Sequence, residues 1–330
     1  MDKIKVIQMG IGSVGKGVTR ALSRNKGIEI VGALDTDRDM VGKDLGEIAG
    51  VGRKLEVVVT DNYSLFSEVA ADIVIHTTNH QYLNNVFQEI LEPITAGMDV
   101  ITANLQASDP YFFNPTLGAK MEKLAIENNA TLLGTGSVQA TDRLIIGLTE
   151  QCNEVEKIIF SAHRDVGQFT PKSNCLAFGI GLTLPQYQER DQKSDDKHST
   201  IRWEIDAIAE RIGWTLDEIS LKGVPLIDDK GIVIGEQKIC QGFEKGKMRI
   251  AMEVTSTLDP KHEYYHKITI QGIPSINALI HYSPDRSLQG TIGPLVNSIP
   301  HVINAPPGIL KVLDMPICSV LQKDVRLFLF

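Results

Sequence analysis

Aromatic side chains make up only 6% of the chain, and cysteine occurs four times in 330 residues. Cys152, Cys175, Cys240 and Cys318 fall without C-x-x-C spacing or a histidine at ligand spacing, which excludes a disulfide framework and a zinc site. They read as buried thiols. No stretch of about eighteen apolar residues exists, so no membrane-spanning helix is expected. Positive charge is in deficit, 33 Lys and Arg against 41 Asp and Glu, and the net charge of -8 argues against nucleic acid or an anionic membrane as partner. The first residues show no cationic segment followed by an apolar core, so the expectation is a cytoplasmic protein. Internal repeats and low-complexity tracts are also missing.

What is present is a phosphate-binding signature at the start. Lys3 to Met9 is β-branched and apolar, and Gly10-Ile11-Gly12-Ser13-Val14-Gly15 follows in G-x-G-x-x-G spacing. Val14, Val18 and Leu22 then recur at i, i+4 and i+8. The order is strand, tight turn and helix start. Gly10 permits the turn, Gly12 keeps a Cβ away from a pyrophosphate, and Gly15 lets helix and strand pack closely. The N–H groups of the helix start, at Ser13 and Val14 onward, suit an anion. A second strand, Gly27 to Leu34, ends at Asp35, where a carboxylate can accept hydrogen bonds from an adenosine ribose. Asp35 repels a 2′-phosphate and favours NAD, whereas Arg38 three residues on could hold that phosphate. The expected cofactor is NAD first, with NADP tolerated.

The continuous apolar run 71–77 reads as a parallel strand buried on both faces, ending where a ligand crevice opens. Thr77, Thr78 and Asn79 are therefore expected beside the cofactor, with His80 at a helix start and His76 a core histidine held by a backbone carbonyl. Strands are expected over 54–60, 99–102 and 130–133, and helices over 81–96 and from the Asn114-Pro115 cap. Pro93 is expected to break or kink the end of the first helix. Beyond about residue 142 the pattern becomes long strands, 155–161, 249–257 and 265–271, with one capable helix over 200–211 ending at Gly213. The fold class is α/β, a Rossmann-type parallel-sheet domain plus an α+β domain with a mostly antiparallel sheet. The expected division is a nucleotide-binding domain, 1–142, onto which 293–330 packs back, and a substrate-binding and dimerisation domain, 143–292.

Several motifs together resemble one family. They are Gly10 to Gly17, Val41-Gly42-Lys43-Asp44-Leu45-Gly46, His76-Thr77-Thr78, Leu133-Gly134-Thr135-Gly136, Gly179-Ile180-Gly181-Leu182-Thr183, Ile270-Gln271-Gly272-Ile273-Pro274 and Ala305-Pro306-Pro307-Gly308. In that order, over nearly the whole chain, they are similar to the 2,4-diaminopentanoate dehydrogenase and native amine dehydrogenase group of the dihydrodipicolinate reductase-like superfamily. The resemblance implies hydride transfer between NAD or NADP and a C–N or C=N bond of a small amine, amino acid or imine. It also implies a homodimer built through the second-domain sheet.

Departures from the group fall where the chemistry is expected. The resemblance implies a glutamate after the strand 99–102 that binds the ammonium and handles its proton, but Leu105 or Gln106 stands there. An Asn-Pro-Gly turn is replaced by Ser137-Val138-Gln139. Without a replacement acid or base, the rate loss is about 10² to 10⁴. The segment 155–164 loosely resembles the strand of dihydrodipicolinate reductase that ends in a histidine-rich acid site. His163 is accordingly the expected proton donor, joined by Asn104 and Gln106 as neutral hydrogen-bonding groups, with Arg164 and Gln139 as substrate contacts. Asp109 reads as a turn residue before Pro110, and His262 and His266 are given no chemistry. The missing glutamate motivates an alternative, a carbonyl or alcohol oxidoreductase on the same scaffold. A catalytically silent nucleotide-binding protein is the other.

Overall fold

The computed structural model describes residues 2–78, 82–166, 175, 179–192, 199–258, 264–283 and 286–329. They form two compact units, Met1–Thr141 with Leu288–Phe330, and Asp142–Ser287.

The first unit is built on seven parallel strands, β1 (Ile4–Met9), β2 (Ile28–Leu34), β3 (Val59–Thr60), β4 (Ile73–His76), β5 (Asp99–Thr102), β6 (Thr131–Gly134) and, from the end of the chain, β13 (Gly308–Ile309). They lie side by side in the order β13-β6-β5-β4-β1-β2-β3. The central strands are buried, Lys5 of β1 excepted, because helices cover both faces of such a sheet. The helices are α1 (Ser13–Leu22), α2 (Leu45–Ala49), α3 (Leu65–Glu68), α4 (Leu83–Thr95), α5 (Pro110–Phe113), α6 (Pro115–Glu127) and the first residues of α7 (Ser137–Thr149). Asn114 caps α6 by accepting a hydrogen bond from the Leu117 N–H at 3.0 Å, with Pro115 in the first turn where no donor is needed.

The strand expected over 54–60 shrinks to two residues. The Asp44 carboxylate caps α2 and also accepts the Leu55 N–H at 3.1 Å, while Glu56 turns with φ 59°, so residues 54–56 serve a cap rather than a ladder. In the remaining two-residue strand Val59 joins Leu45, Ile11 and Ala33 in the core. α4 runs through Pro93 to Thr95, with Gly97 left-handed at φ 77° beyond its end. A proline so near a helix C-terminus removes one donor and leaves the helix standing.

Among the described residues the second unit holds six strands, β7 (Glu154–Asp165), β8 (Glu218–Ile227), β9 (Val233–Glu244), β10 (Lys247–Thr257), β11 (Tyr265–Ile273) and β12 (Ile276–His281). Their order is β12-β11-β7-β10-β9-β8, antiparallel except for the parallel pair β7 and β10. Helices α8 (Leu184–Gln192) and α9 (Thr200–Ile212) belong to the same unit. α9 buries Ile201, Ile205 and Ile208 and stops at Gly213 with φ 90°.

Strands β8, β9 and β12 escape a hydrophobic-pattern reading. Pro225 and Gly223 interrupt β8, and β9 buries a carboxylate, Glu236, whose Oε1 accepts hydrogen bonds from the Tyr187 hydroxyl at 2.6 Å and Arg190 at 2.8 Å. The chain returns to the first unit through α10 (Arg286–Asn297) and α11 (Ile299–Ile303). Of the four thiols only Cys240 is buried; Cys152, Cys175 and Cys318 are half-exposed, which corrects the expectation that all would be interior.

Candidate active site

At the C-terminal end of β1 the chain turns at Gly10 with φ 82°, and a Cβ there would meet the Thr77 carbonyl carbon and the Thr78 nitrogen at 2.7 Å. The turn is braced from within. Gln8 Nε2 donates to the Gly10 carbonyl and to Thr77 Oγ1, each at 2.8 Å, and the Thr77 hydroxyl donates to the same carbonyl at 2.7 Å. A Cβ on Gly15 would run into the Gly10 carbonyl, so α1 lies hard against the strand end.

Gly12 behaves differently: it is exposed, and among the described residues nothing lies within 4 Å of where its Cβ would be. The first intrahelical donor is the Lys16 N–H to the Gly12 carbonyl at 2.9 Å, which leaves the N–H groups of Ser13, Val14 and Gly15 without helical acceptors. Space above Gly12 and three donors without a helical acceptor at a positive helix end make a cradle that fits a pyrophosphate.

Asp35 lies just past β2, where its Oδ2 accepts the Ile11 N–H at 2.5 Å and its Oδ1 the Asp37 N–H at 2.9 Å. This fixes the carboxylate beside the turn with lone pairs remaining for a ribose. Arg38 is exposed three residues on. Asn79 and His80 lie outside the described residues, as does His262.

The ends of β4 and β5 hold a polar network. His76, 1% exposed, contacts Thr102 Oγ1 through Nδ1 and Glu89 Oε2 through Nε2, both at 2.8 Å. Thr78 donates to the same Glu89 oxygen at 2.6 Å. His76 is thus held by side chains, not by the backbone carbonyl expected of a core histidine. Glu89 belongs to no motif in the sequence, although it sits on the buried stripe of α4 three residues after Val86.

Three expected site residues are engaged elsewhere. Gln106 Oε1 accepts the Leu83 N–H at 2.8 Å and caps α4. Asn104 Oδ1 accepts the Ala107 N–H at 3.1 Å and caps the short 3₁₀ turn Leu105–Ser108. Gln139 is fully buried on α7 and donates to Ser108 Oγ at 2.7 Å, an interior bond rather than a substrate surface. Amide side chains near a strand end satisfy backbone and buried groups first.

His163 and Arg164 do not form one site either. Consecutive residues of β7 point to opposite faces of the sheet. Arg164 continues the face of buried Ile158, Phe160 and Ala162, whereas His163 lies on the other and stacks on Tyr265 at 5.1 Å and 13°. This corrects the expectation of a histidine donor and an arginine acting together.

On the Arg164 side two carboxyls meet. Asp142 of α7 and Glu204 of α9 are buried, and burial raises both above the usual carboxylate range; each feels the other and the Arg164 charge. Among the described residues no ordinary donor reaches either Asp142 oxygen; burial and then Glu204 hold the Asp142 carboxyl well above the usual range, so Asp142 is the neutral acid that shares its proton with Glu204 as acceptor. The half-buried Arg164 balances the remaining charge, and its Nε is buried without an acceptor among the described residues.

A parallel sheet with a glycine turn leading into a helix and an acid closing the second strand defines a nucleotide-binding protein of the doubly wound class. Residues 140–329 match the 2,4-diaminopentanoate dehydrogenase C-terminal domain, and residues 4–100 match the N-terminus of dihydrodipicolinate reductase. The chain belongs to the 2,4-diaminopentanoate dehydrogenase C-terminal domain family, as its motifs implied. It is 28% identical to the 2,4-diaminopentanoate dehydrogenase of Acetoanaerobium sticklandii, over 99% of this chain and 97% of that protein. An amine dehydrogenase from Streptomyces virginiae is 22% identical over 95% of this chain and 96% of its own length. The amine dehydrogenase structure from Mycobacterium smegmatis superposes with a TM-score of 0.85 at 26% identity, covering 97% of this chain and 98% of that one.

Proposed function

We propose that the protein moves a hydride between a nicotinamide cofactor and the C–N bond of a small amine. The amine is oxidised to an imine that water hydrolyses, or the same steps run in reverse. The observation that carries this reading is the open cradle at Gly12, in a chain whose whole-length relatives are dehydrogenases of amines.

The N–H groups of Ser13, Val14 and Gly15 hold the pyrophosphate, and Asp35 takes the adenosine ribose. The Asp35 carboxylate favours NAD, and Arg38 tolerates the phosphate of NADP. Thr77 and Thr78 flank the nicotinamide half, which supplies or accepts the hydride when bound. Arg164 is the assigned substrate contact on the second unit: its guanidinium, with no acceptor at Nε among the described residues, attracts a carboxylate or carbonyl oxygen. His163 is assigned to packing on Tyr265. The same reading makes the protein a cytoplasmic homodimer associating through the second sheet, supported by Ile273 and Leu279, each 58% exposed, on its strands β11 and β12.

One observation favours a second reading, reduction of a carbonyl without ammonia. The stretch Leu105–Ser108 after β5 carries no carboxylate to manage an ammonium proton. The test is turnover of purified protein with a panel of primary amines and oxidised cofactor, and with ketones plus reduced cofactor, with and without ammonia. Cofactor reduction by an amine, or ketone consumption that requires ammonia, is the expected result. Ketone reduction that ignores ammonia establishes the second reading, and no turnover across the panel overturns both.

A further inference from the structure

The Glu89 network at the ends of β4 and β5 has a direction. The Asn104 N–H donates to Thr102 Oγ1 at 3.2 Å, and the Thr102 hydroxyl can donate onward to His76 Nδ1 at 2.8 Å. His76 Nε2–H then donates to Glu89 Oε2 at 2.8 Å, where the Thr78 hydroxyl also donates at 2.6 Å. These bonds are mutually consistent when His76 is the neutral Nε2–H tautomer and Glu89 is ionised, since a single Glu89 oxygen then accepts from both sides. Two converging donors, one of them nearly inaccessible, fix that charge in place. It is also felt nearby: the Tyr63 phenol is pushed above its usual range by burial and then by the charges of Glu89 and Glu92.

The sheet order places this charge relative to a bound dinucleotide. Asp35 closes β2 on one side of β1, and β4 with β5 lies on the other. A dinucleotide whose pyrophosphate rests at Ser13 and whose adenosine reaches Asp35 therefore extends its nicotinamide half over β4 and β5. The Thr78 nitrogen borders the glycine turn, and its hydroxyl touches Glu89.

We propose that Glu89 is a fixed negative charge beneath the nicotinamide half that biases binding toward the oxidised, positively charged ring over the reduced, neutral one. Glu89 acts here as a positioning and electrostatic residue, not one that exchanges a proton with substrate. The proposal rests on the nicotinamide reading above. A unit charge within roughly 10 Å at a protein-like dielectric changes such a ratio about tenfold.

The experiment measures Kd for oxidised and for reduced cofactor, NAD and NADP in turn, in wild-type protein, Glu89→Gln and Glu89→Asp. In Glu89→Gln the ratio of oxidised to reduced Kd is expected to rise about tenfold, whereas Glu89→Asp, which keeps the charge, stays within about threefold of wild type. Equal weakening of both forms, or an unchanged ratio in Glu89→Gln, shows a merely structural role and overturns the proposal. If Glu89→Gln fails to melt cooperatively, the wild-type ratio decides. Oxidised cofactor bound at least as tightly as reduced supports the bias, and reduced cofactor bound more than tenfold tighter overturns it. Binding of neither form by wild-type protein refutes the nicotinamide reading instead.

Discussion

Asp99 opens β5 at the edge of solvent, and its environment makes a quantitative demand on the pH dependence of stability. Burial raises its pKa to about 6, with the neighbouring Asp72 adding to the rise, while the Thr131 N–H, donating at 2.7 Å, opposes it. The folded value therefore lies about two units above that of the unfolded chain, near 4. An acid shifted upward stabilises the fold fully below the unfolded value, and that contribution disappears as pH rises through the folded one. Two units correspond to about 3 kcal/mol, trimmed to about 2 kcal/mol because the group is not wholly withdrawn from water. Asn at this position keeps an Oδ1 for the Thr131 N–H and has no charge to bury. Asp99→Asn is thus expected to exceed wild type by about 2 kcal/mol near pH 8 and to match it or fall slightly below near pH 4. Urea unfolding of both proteins at a series of pH values reads this directly. An Asn variant that is less stable near pH 8, or a difference that does not change with pH, would refute the reasoning.

Two further outcomes follow from the same structure. Glu204→Gln replaces the shared proton of the Asp142 pair with a permanent amide donor. Since burial raises both carboxyls, the wild type loses stability as pH rises through their folded values, so the variant should show a flatter profile and be the more stable protein in alkaline buffer. A profile that keeps the wild-type slope in denaturant melts would contradict the shared-proton assignment. Asp35→Ala removes the carboxylate fixed by Ile11 and Asp37, and the Kd ratio of NADP to NAD should fall about tenfold as repulsion of the 2′-phosphate is lost. A constant ratio would separate Asp35 from cofactor choice.

The nucleotide-binding half was legible because its signals are local. A β-branched run, glycines at fixed offsets, an acid at the next strand end and the Asn114-Pro115 cap each determine backbone geometry within a few residues. The second sheet was legible only where side chains alternate: β7, β10 and β11 were found, whereas β8 is broken by Gly223 and Pro225 and β9 buries Glu236.

Catalytic expectations suffered from a different blindness. Asn104, Gln106 and Gln139 have the right chemistry by type, but each is spent on a partner close in space that no spacing announces. The carboxyls that motif spacing passes over share a signature nonetheless. Glu89 follows Val86 by three, Glu204 precedes Ile208 by four, and Asp142 precedes Ile145 by three, so each lies on the apolar stripe of its helix. A charge in such a place needs a partner, and helical periodicity alone is enough to reveal that requirement.

The central claim, that the glycine turn holds a dinucleotide, is tested most directly at Gly12. No described residue lies within 4 Å of its Cβ position, so Gly12→Val has room there and is expected to collide with a ligand in the cradle. Titration with reduced NAD and NADP, followed by cofactor fluorescence, should show saturable binding to wild type and a loss of at least about thirtyfold in a valine variant that melts as wild type does, a difference of about 2 kcal/mol. Equal affinity in the two proteins, or no binding to either, would contradict the account.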